Sequence, residues 1–316
     1  VAIPLREVAL LLAHKLGAFG LSEGIPKSHA LIVEGVRLPR AIAAALVGAA
    51  LGISGAVMQG LFRNPLASPY VLGLAGGASA GAALVIALGL SSWGQPALPL
   101  GAFSGGALAV LLVYGLAKVR RSGPSTLTLI LAGVALSALF SALTSLLIVL
   151  SEEALKMQTI VFWLMGSLGR ARWDLLPLLA AVVLVGLLVL LLFARDLNVL
   201  ALGEEGAWHL GVRPARLEKL LLGIVTLLTG MAVALAGTIG FVGLITPHAL
   251  RLVVGPDHRA LLPASALGGA IFLALADTAA RTLLAPVELP VGILTALCGA
   301  PFFLYLLLTR RGGEMR

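Results

Sequence analysis

The residues that could do chemistry are few, and none of them forms a reactive set. The five histidines, His14, His29, His209, His248 and His258, show no H-E-x-x-H or other metal-site spacing. Cys298 is the single cysteine, so neither a disulfide framework nor a thiolate zinc site is expected. Gly77-Ala78-Ser79-Ala80-Gly81 fits the G-x-S-x-G hydrolase pattern. That pattern works on a strand–turn–helix elbow with Asp and His partners; here it lies inside an apolar run that reads as helix. His248 follows Pro247 and reads as a structural residue bonding a carbonyl that the proline frees. No G-x-x-x-x-G-K-[ST] loop occurs, and none of Lys15, Lys27, Lys118, Lys156 and Lys219 follows a glycine. No cofactor is expected on this chain; if ATP and Mg drive it, another chain binds them.

Charges near apolar runs are the next filter, because a charge in lipid is costly. Asp277 and Arg281 are spaced i,i+4 near the end of an apolar run and can pair on one helix face. Arg37 and Arg40 flank Pro39 at the start of another, where proline suits a first helical turn. Snorkelling to headgroups would explain both arginines. With Arg281 they would also form a basic rim suited to a partner with exposed carboxylates. The segment ARDLNVLALGEEGAWHLGVRP is the longest connection with helical content of its own. Leu200, Leu202, Ala207, Leu210 and Val212 give it an apolar face, and Gly203 and Gly211 break it into short pieces. A loop of this length in a compact bundle is usually functional, and it reads as a docking element for a partner.

The elements that carry these groups follow from composition. The 316 residues are 59% hydrophobic and 11% charged, with a mean hydropathy of +1.07. A soluble domain carries about 25% charged residues, so lipid is the expected solvent and disorder is excluded. The net charge of +8 is loop charge scattered between apolar runs, which argues against nucleic acid. Runs able to cross a bilayer lie at 38–62, 69–90, 96–117, 125–150, 175–194, 216–237, 260–284 and 291–309. A shorter piece at 240–253 reads as a short span or a re-entrant segment; counting it, nine spans are expected, and 157–169 reads as an interfacial helix. The loops 63–68, 118–124, 195–219, 251–259 and 310–316 hold thirteen basic residues, against four on the opposite side from residue 91 onward. The positive-inside rule puts the first set in the cytoplasm. Residues 1–36 are then an extracytoplasmic segment, expected to follow a first helix missing from this chain, and 37–316 form the transmembrane domain with a cytoplasmic segment at 196–215. Gly48, Gly55, Pro65 and Gly73 recur at the same spacing as Gly230, Gly237, Pro247 and Gly255. With an odd number of spans between the copies, this reads as an inverted-topology repeat, a common transporter architecture. G-x-x-x-G pairs at Gly48/Gly52, Gly77/Gly81 and Gly101/Gly105 read as close helix packing.

Several stretches together resemble the permease family of bacterial ATP-driven importers for cobalamin, iron-siderophores and haem, the BtuC/FecCD-like permeases. They are RLPRAIAAALVGAALGISGAVMQGLFRNPLASP (37–69), LAGVAL (131–136), FWLMGSLG (162–169), ALGEEGAWHLGV (201–212), ALAGTIGFVGLITPHALRLVVGPDHRALLP (234–263), and ADTAARTLL with ELPVGILTALCGAPFF (276–303). The likeness runs from about residue 3 to 310. It implies an all-α polytopic bundle of ten helices, a homodimer, two cytoplasmic ATPase subunits and an external substrate-binding protein, in the inner membrane. It also implies that Arg37, Arg40 and Arg281 face glutamates of the binding protein. Leu202, Gly203, Ala207, Leu210 and Gly211 would then seat on the ATPase, and Asn64, Leu66, Ser125 and Thr126 would narrow the cytoplasmic end of the path. An ion-coupled carrier is the rival reading; it usually needs acidic or histidine relays near the midplane, and Asp277 sits towards a span end.

Overall fold

A computed structural model of the chain describes residues 3–15, 24–90, 94, 96–118 and 126–309. The helices are α1 (Leu5–Lys15), α2 (Lys27–Ile32), α3 (Leu38–Leu61), α4 (Leu74–Ala87), α5 (Ala97–Lys118), α6 (Thr126–Val149) and α7 (Ala154–Leu164). They continue as α8 (Leu176–Leu192), α9 (Ala194–Leu200), α10 (Glu204–His209), α11 (Pro214–Ala236), α12 (Val242–Val254), α13 (His258–Thr282) and α14 (Val291–Thr309). The described residues contain no strand, and the all-helical expectation is met.

Among the described residues, five helices are long and apolar enough to cross a membrane, or six if the bent pair α8 and α9 is one span. Helices α4, α7, α12 and part of α14 are apolar but shorter. The runs at 69–90 and 240–253 therefore resolve into a 3-10 turn, Pro69–Leu72, followed by the 14-residue α4, and into the 13-residue α12. Protein covers the start of each short helix, where Leu74 and Val242 are buried. The expected boundary at 36 falls inside a helix: Lys27–Leu61 runs unbroken. It contains a π-helical turn at Val33–Arg37, where the Leu38 N–H reaches the Val33 carbonyl. Pro39 has no N–H to give and its ring crowds the preceding turn, and the wider turn relieves that clash.

Two sets of four helices repeat in order. Helices α3 to α6 are 24, 14, 22 and 24 residues long; α11 to α14 are 23, 13, 25 and 19. Their contacts exchange as in two equivalent halves: α3 packs on α11, α12 and α13, while α11 packs on α3, α4 and α5. Helix α4 lies on α5 and α6 as α12 lies on α13 and α14. The glycine register expected for the repeat does not coincide with these elements, since Gly55 is inside α3 whereas Gly237 stands just past α11.

The glycine pairs are seams. A Cβ on Gly48 would lie 2.1 Å from the Gly269 carbonyl oxygen, and one on Gly52 2.1 Å from that of Ser265, so α3 and α13 meet backbone to backbone. Gly77 and Gly81 of α4 meet Gly105 and Gly101 of α5 in the same way. The G-x-S-x-G run thus sits mid-helix with Ser79 bonded to the Ala75 carbonyl, and it forms no nucleophile elbow. Pro247 cannot donate to the Gly243 carbonyl, and that oxygen is the atom pressed against Gly55. Outward, Leu111, Leu131, Leu139, Leu146, Leu184 and Leu188 are exposed. So many large exposed apolar side chains suit hydrocarbon, not water.

Candidate functional site

The polar groups gather at two ends of the bundle, and α13 belongs to both. At one end Arg40, on the first turn of α3, is buried, with 6% of its surface exposed. Its Nε lies 3.0 and 3.1 Å from the two Asp277 carboxylate oxygens and its Nη2 lies 3.0 Å from Oδ1, a two-pronged clasp. Its Nη1 donates to Glu288 Oε2 at 2.8 Å. Asp277 also takes Arg281 Nε at 3.2 Å, the i,i+4 pair read from the sequence. Arg37, three residues before Arg40, is half-buried. The expected basic rim is therefore not basic throughout: two of its three arginines are balanced by two carboxylates, and Arg40 lies beneath the surface. Burying a charge requires a partner, and Asp277, 1% exposed, is that partner. Nearby, Trp173 donates to the Glu34 carbonyl at 2.8 Å and Lys15 sits 4.0 Å over the Trp173 ring. His29 Nδ1 lies 2.6 Å from Glu7 Oε2, tying α1 to α2.

At the other end, α9 and α10 form the bent segment expected at 196–215. Gly203 and Gly211 hold φ of +108° and +82°, a region that favours glycine. The single apolar face expected there is split. Leu200 and Ala207 are buried against the bundle, while Leu202, Trp208 and Leu210 are 72%, 64% and 62% exposed. Asn198 of α9 locks this segment to the start of α13. Its amide donates to Asp257 Oδ1 at 2.6 Å and its carbonyl oxygen accepts from the His258 backbone N–H at 3.0 Å. Asp257 caps α13, accepting from the Arg259 N–H at 3.0 Å. That backbone bond, and then the Asn198 bond, hold the Asp257 carboxyl below its ordinary range.

Asn64 and Leu66 lie on the loop leaving α3, at this same end. Asn64 is exposed and its Oδ1 accepts from the Leu66 N–H at 2.9 Å, a tight local turn. Arg63, just before it, has φ +49° and approaches Gly203. A cavity between Gln59, Arg63, Arg251 and His258 opens beside them. Ser125 lies outside the described residues; Thr126 is the first residue of α6. His248 is buried edge-on to the Phe302 ring, with centroids 6.3 Å apart. Among the described residues no three His, Cys, Asp or Glu side chains gather as metal ligands.

Local sequence periodicity missed Glu288 and Asn198, whose partners lie far along the chain. Asp257, immediately before a helical run, carried a helix-start signal.

An all-helical apolar bundle built of two like halves, with its buried ion pairs and capping bonds gathered at two ends, has the build of a membrane transport component. A profile of the FecCD transport family matches residues 3–309, and the chain belongs to that family. It is 50% identical to the cobalamin import system permease protein BtuC of Halobacterium salinarum, over 92% of this chain and 77% of that one. It is 46% identical to the hemin transport system permease protein HmuU of Yersinia pestis, over 87% and 83%. It is 43% identical to the vitamin B12 import system permease protein BtuC of Escherichia coli, over 97% and 93%. An ABC transporter solved in an inward-facing conformation superposes with a TM-score of 0.82 at 39% identity, covering 95% of this chain and 96% of that one.

Proposed function

We propose that this chain is the membrane permease of an ATP-driven importer of cobalamin, haem or an iron-siderophore into the cytoplasm. It works as a homodimer in the lipid of the bacterial cytoplasmic membrane. Two ATPase subunits sit beneath it, carrying the ATP and Mg, and an external substrate-binding protein docks above. The observation that carries this reading is the pairing of two polar ends through one helix. Asp277 and Arg281 on α13 belong to the arginine rim, and Asn198 ties the start of the same helix to α9 and α10. Relatives with cobalamin and hemin in their names support the cargo class.

In this reading Arg37, Arg40 and Arg281 meet carboxylates of the binding protein, Arg40 from beneath the surface. Leu202, Trp208 and Leu210 enter an apolar cleft of the ATPase, while Gly203, Ala207 and Gly211 set the bend. Asn64 and Leu66, with Ser125 and Thr126, narrow the cytoplasmic exit. A bulky ligand held weakly cannot by itself shift a large conformational equilibrium, so the free-energy difference between states has to come from ATP.

The test is reconstitution in proteoliposomes with the ATPase and binding protein. Uptake of cyanocobalamin, hemin or a ferric hydroxamate should require all three components and ATP. Uptake by the permease alone on an ion gradient would overturn the reading.

A further inference from the structure

We infer that Glu288 is a resident placeholder on Arg40, a carboxylate of this chain that the docking protein's carboxylate has to displace. The inference rests on the importer reading above and adds a control on its docking step. Arg40 offers a planar guanidinium with donors on two edges. The inner edge is closed: Nε and Nη2 face Asp277, whose side chain is 2% exposed and which also holds Arg281. Nη1, turned the other way, meets Glu288 Oε2 at 2.8 Å. The two carboxylates differ in one decisive respect. The Glu288 side chain is 58% exposed, whereas that of Arg40 is 7% exposed beneath it. An approaching carboxylate therefore reaches Glu288 before it reaches the guanidinium.

The local backbone suits such an exchange. The Leu289 N–H donates to the Ala280 carbonyl at 3.0 Å, fastening the α13–α14 connection beside Arg40. Turning the Glu288 side chain away leaves that bond intact. With Glu288 in place, Arg40, Arg281, Asp277 and Glu288 sum to zero charge; with it turned out, the rim gains one unpaired positive charge where a partner's glutamate would arrive. That neutral four-residue cluster holds stray anions weakly, and its unpaired positive charge is created only when a carboxylate competes for Arg40.

The experiment measures the affinity of the assembled permease–ATPase complex in nanodiscs for its substrate-binding protein. The variants are Glu288→Gln, Glu288→Ala and, as a charge control, Asp174→Asn. Asp174 is an exposed carboxylate near the rim, paired with Arg172 at 3.1 Å and with no contact to Arg40. Both Glu288 variants should tighten docking roughly tenfold, the effect of removing one competing charge pair, while Asp174→Asn changes it less than about threefold. Size-exclusion profiles and ATPase content show that each variant is assembled. Unchanged or weaker docking in the Glu288 variants, or an equal gain in Asp174→Asn, overturns the placeholder and leaves the importer reading standing. Failure of the unaltered complex to bind the substrate-binding protein at all removes both.

Discussion

Replacing Gly55 by alanine tests the packing that holds the two halves together. A Cβ at this position would lie 1.8 Å from the Gly243 carbonyl oxygen, 2.5 Å from its carbon and 2.7 Å from its Cα. All three are backbone atoms, so no side chain can swing aside. Relief requires α3 and α12 to separate by more than an ångström, which forfeits dispersion contacts along the seam. Overpacking of this kind costs about 1–3 kcal/mol, and a rigid backbone obstacle belongs at the upper end. At about 2–4 °C per kcal/mol for a larger domain, the purified protein in detergent should melt roughly 6–12 °C lower. Gly223→Ala is the matched control: its Cβ would meet nothing within 4 Å. It gains helix propensity, up to about 1 kcal/mol. A Gly55→Ala protein that melts within 2 °C of the parent, or a Gly223→Ala protein that falls equally, would refute the backbone-contact argument.

Asp277→Asn leaves Arg40 buried with Glu288 alone; breaking a buried pair costs about 3–5 kcal/mol, so a sharp loss of melting temperature is expected, and an unchanged melt would show the clasp to be incidental. Arg281→Glu should weaken binding-protein docking by at least tenfold and change its salt dependence, read by surface plasmon resonance on nanodiscs; unchanged affinity would remove the rim from the interface. Trp208→Glu places a charge on an exposed apolar tip that does not support the bundle; the permease should fold normally yet fail to co-purify with the ATPase, and retained co-purification would refute the coupling role. Asn198→Ala removes the link to α13, and ATP-driven uptake should fall several-fold while both partners still bind; full uptake would show that coupling runs elsewhere.

The long spans were legible because a bilayer demands long apolar runs, and Gly203 and Gly211 marked the breaks in 196–215 by backbone chemistry alone. The short α4 was drawn too long, since apolar turn residues covered by protein look the same as apolar helix, whereas the short piece at 240–253 was placed to within two residues. Charges at Lys27, Glu34 and Arg37 disguised the helical continuity of Lys27–Leu61. The arginine rim was read by charge type, but its balance was not. Arg40 and Glu288 are 248 residues apart, a distance that no periodicity reports. The repeat was sensed through glycines, which follow packing needs in each half separately; helix length and order are what the halves share.

The seam between α3 and α13 has a mechanical consequence. Gly48 and Gly52 touch Gly269 and Ser265 with no cushion of side chains between them. Shear by a single residue would drive the Ala49 or Ala270 methyl into a peptide carbonyl. The pair can tilt but cannot slip, so it behaves as one stiff spar. Its foot, where the His258 N–H bonds Asn198 of α9, and its head, beside Asp277, therefore move together.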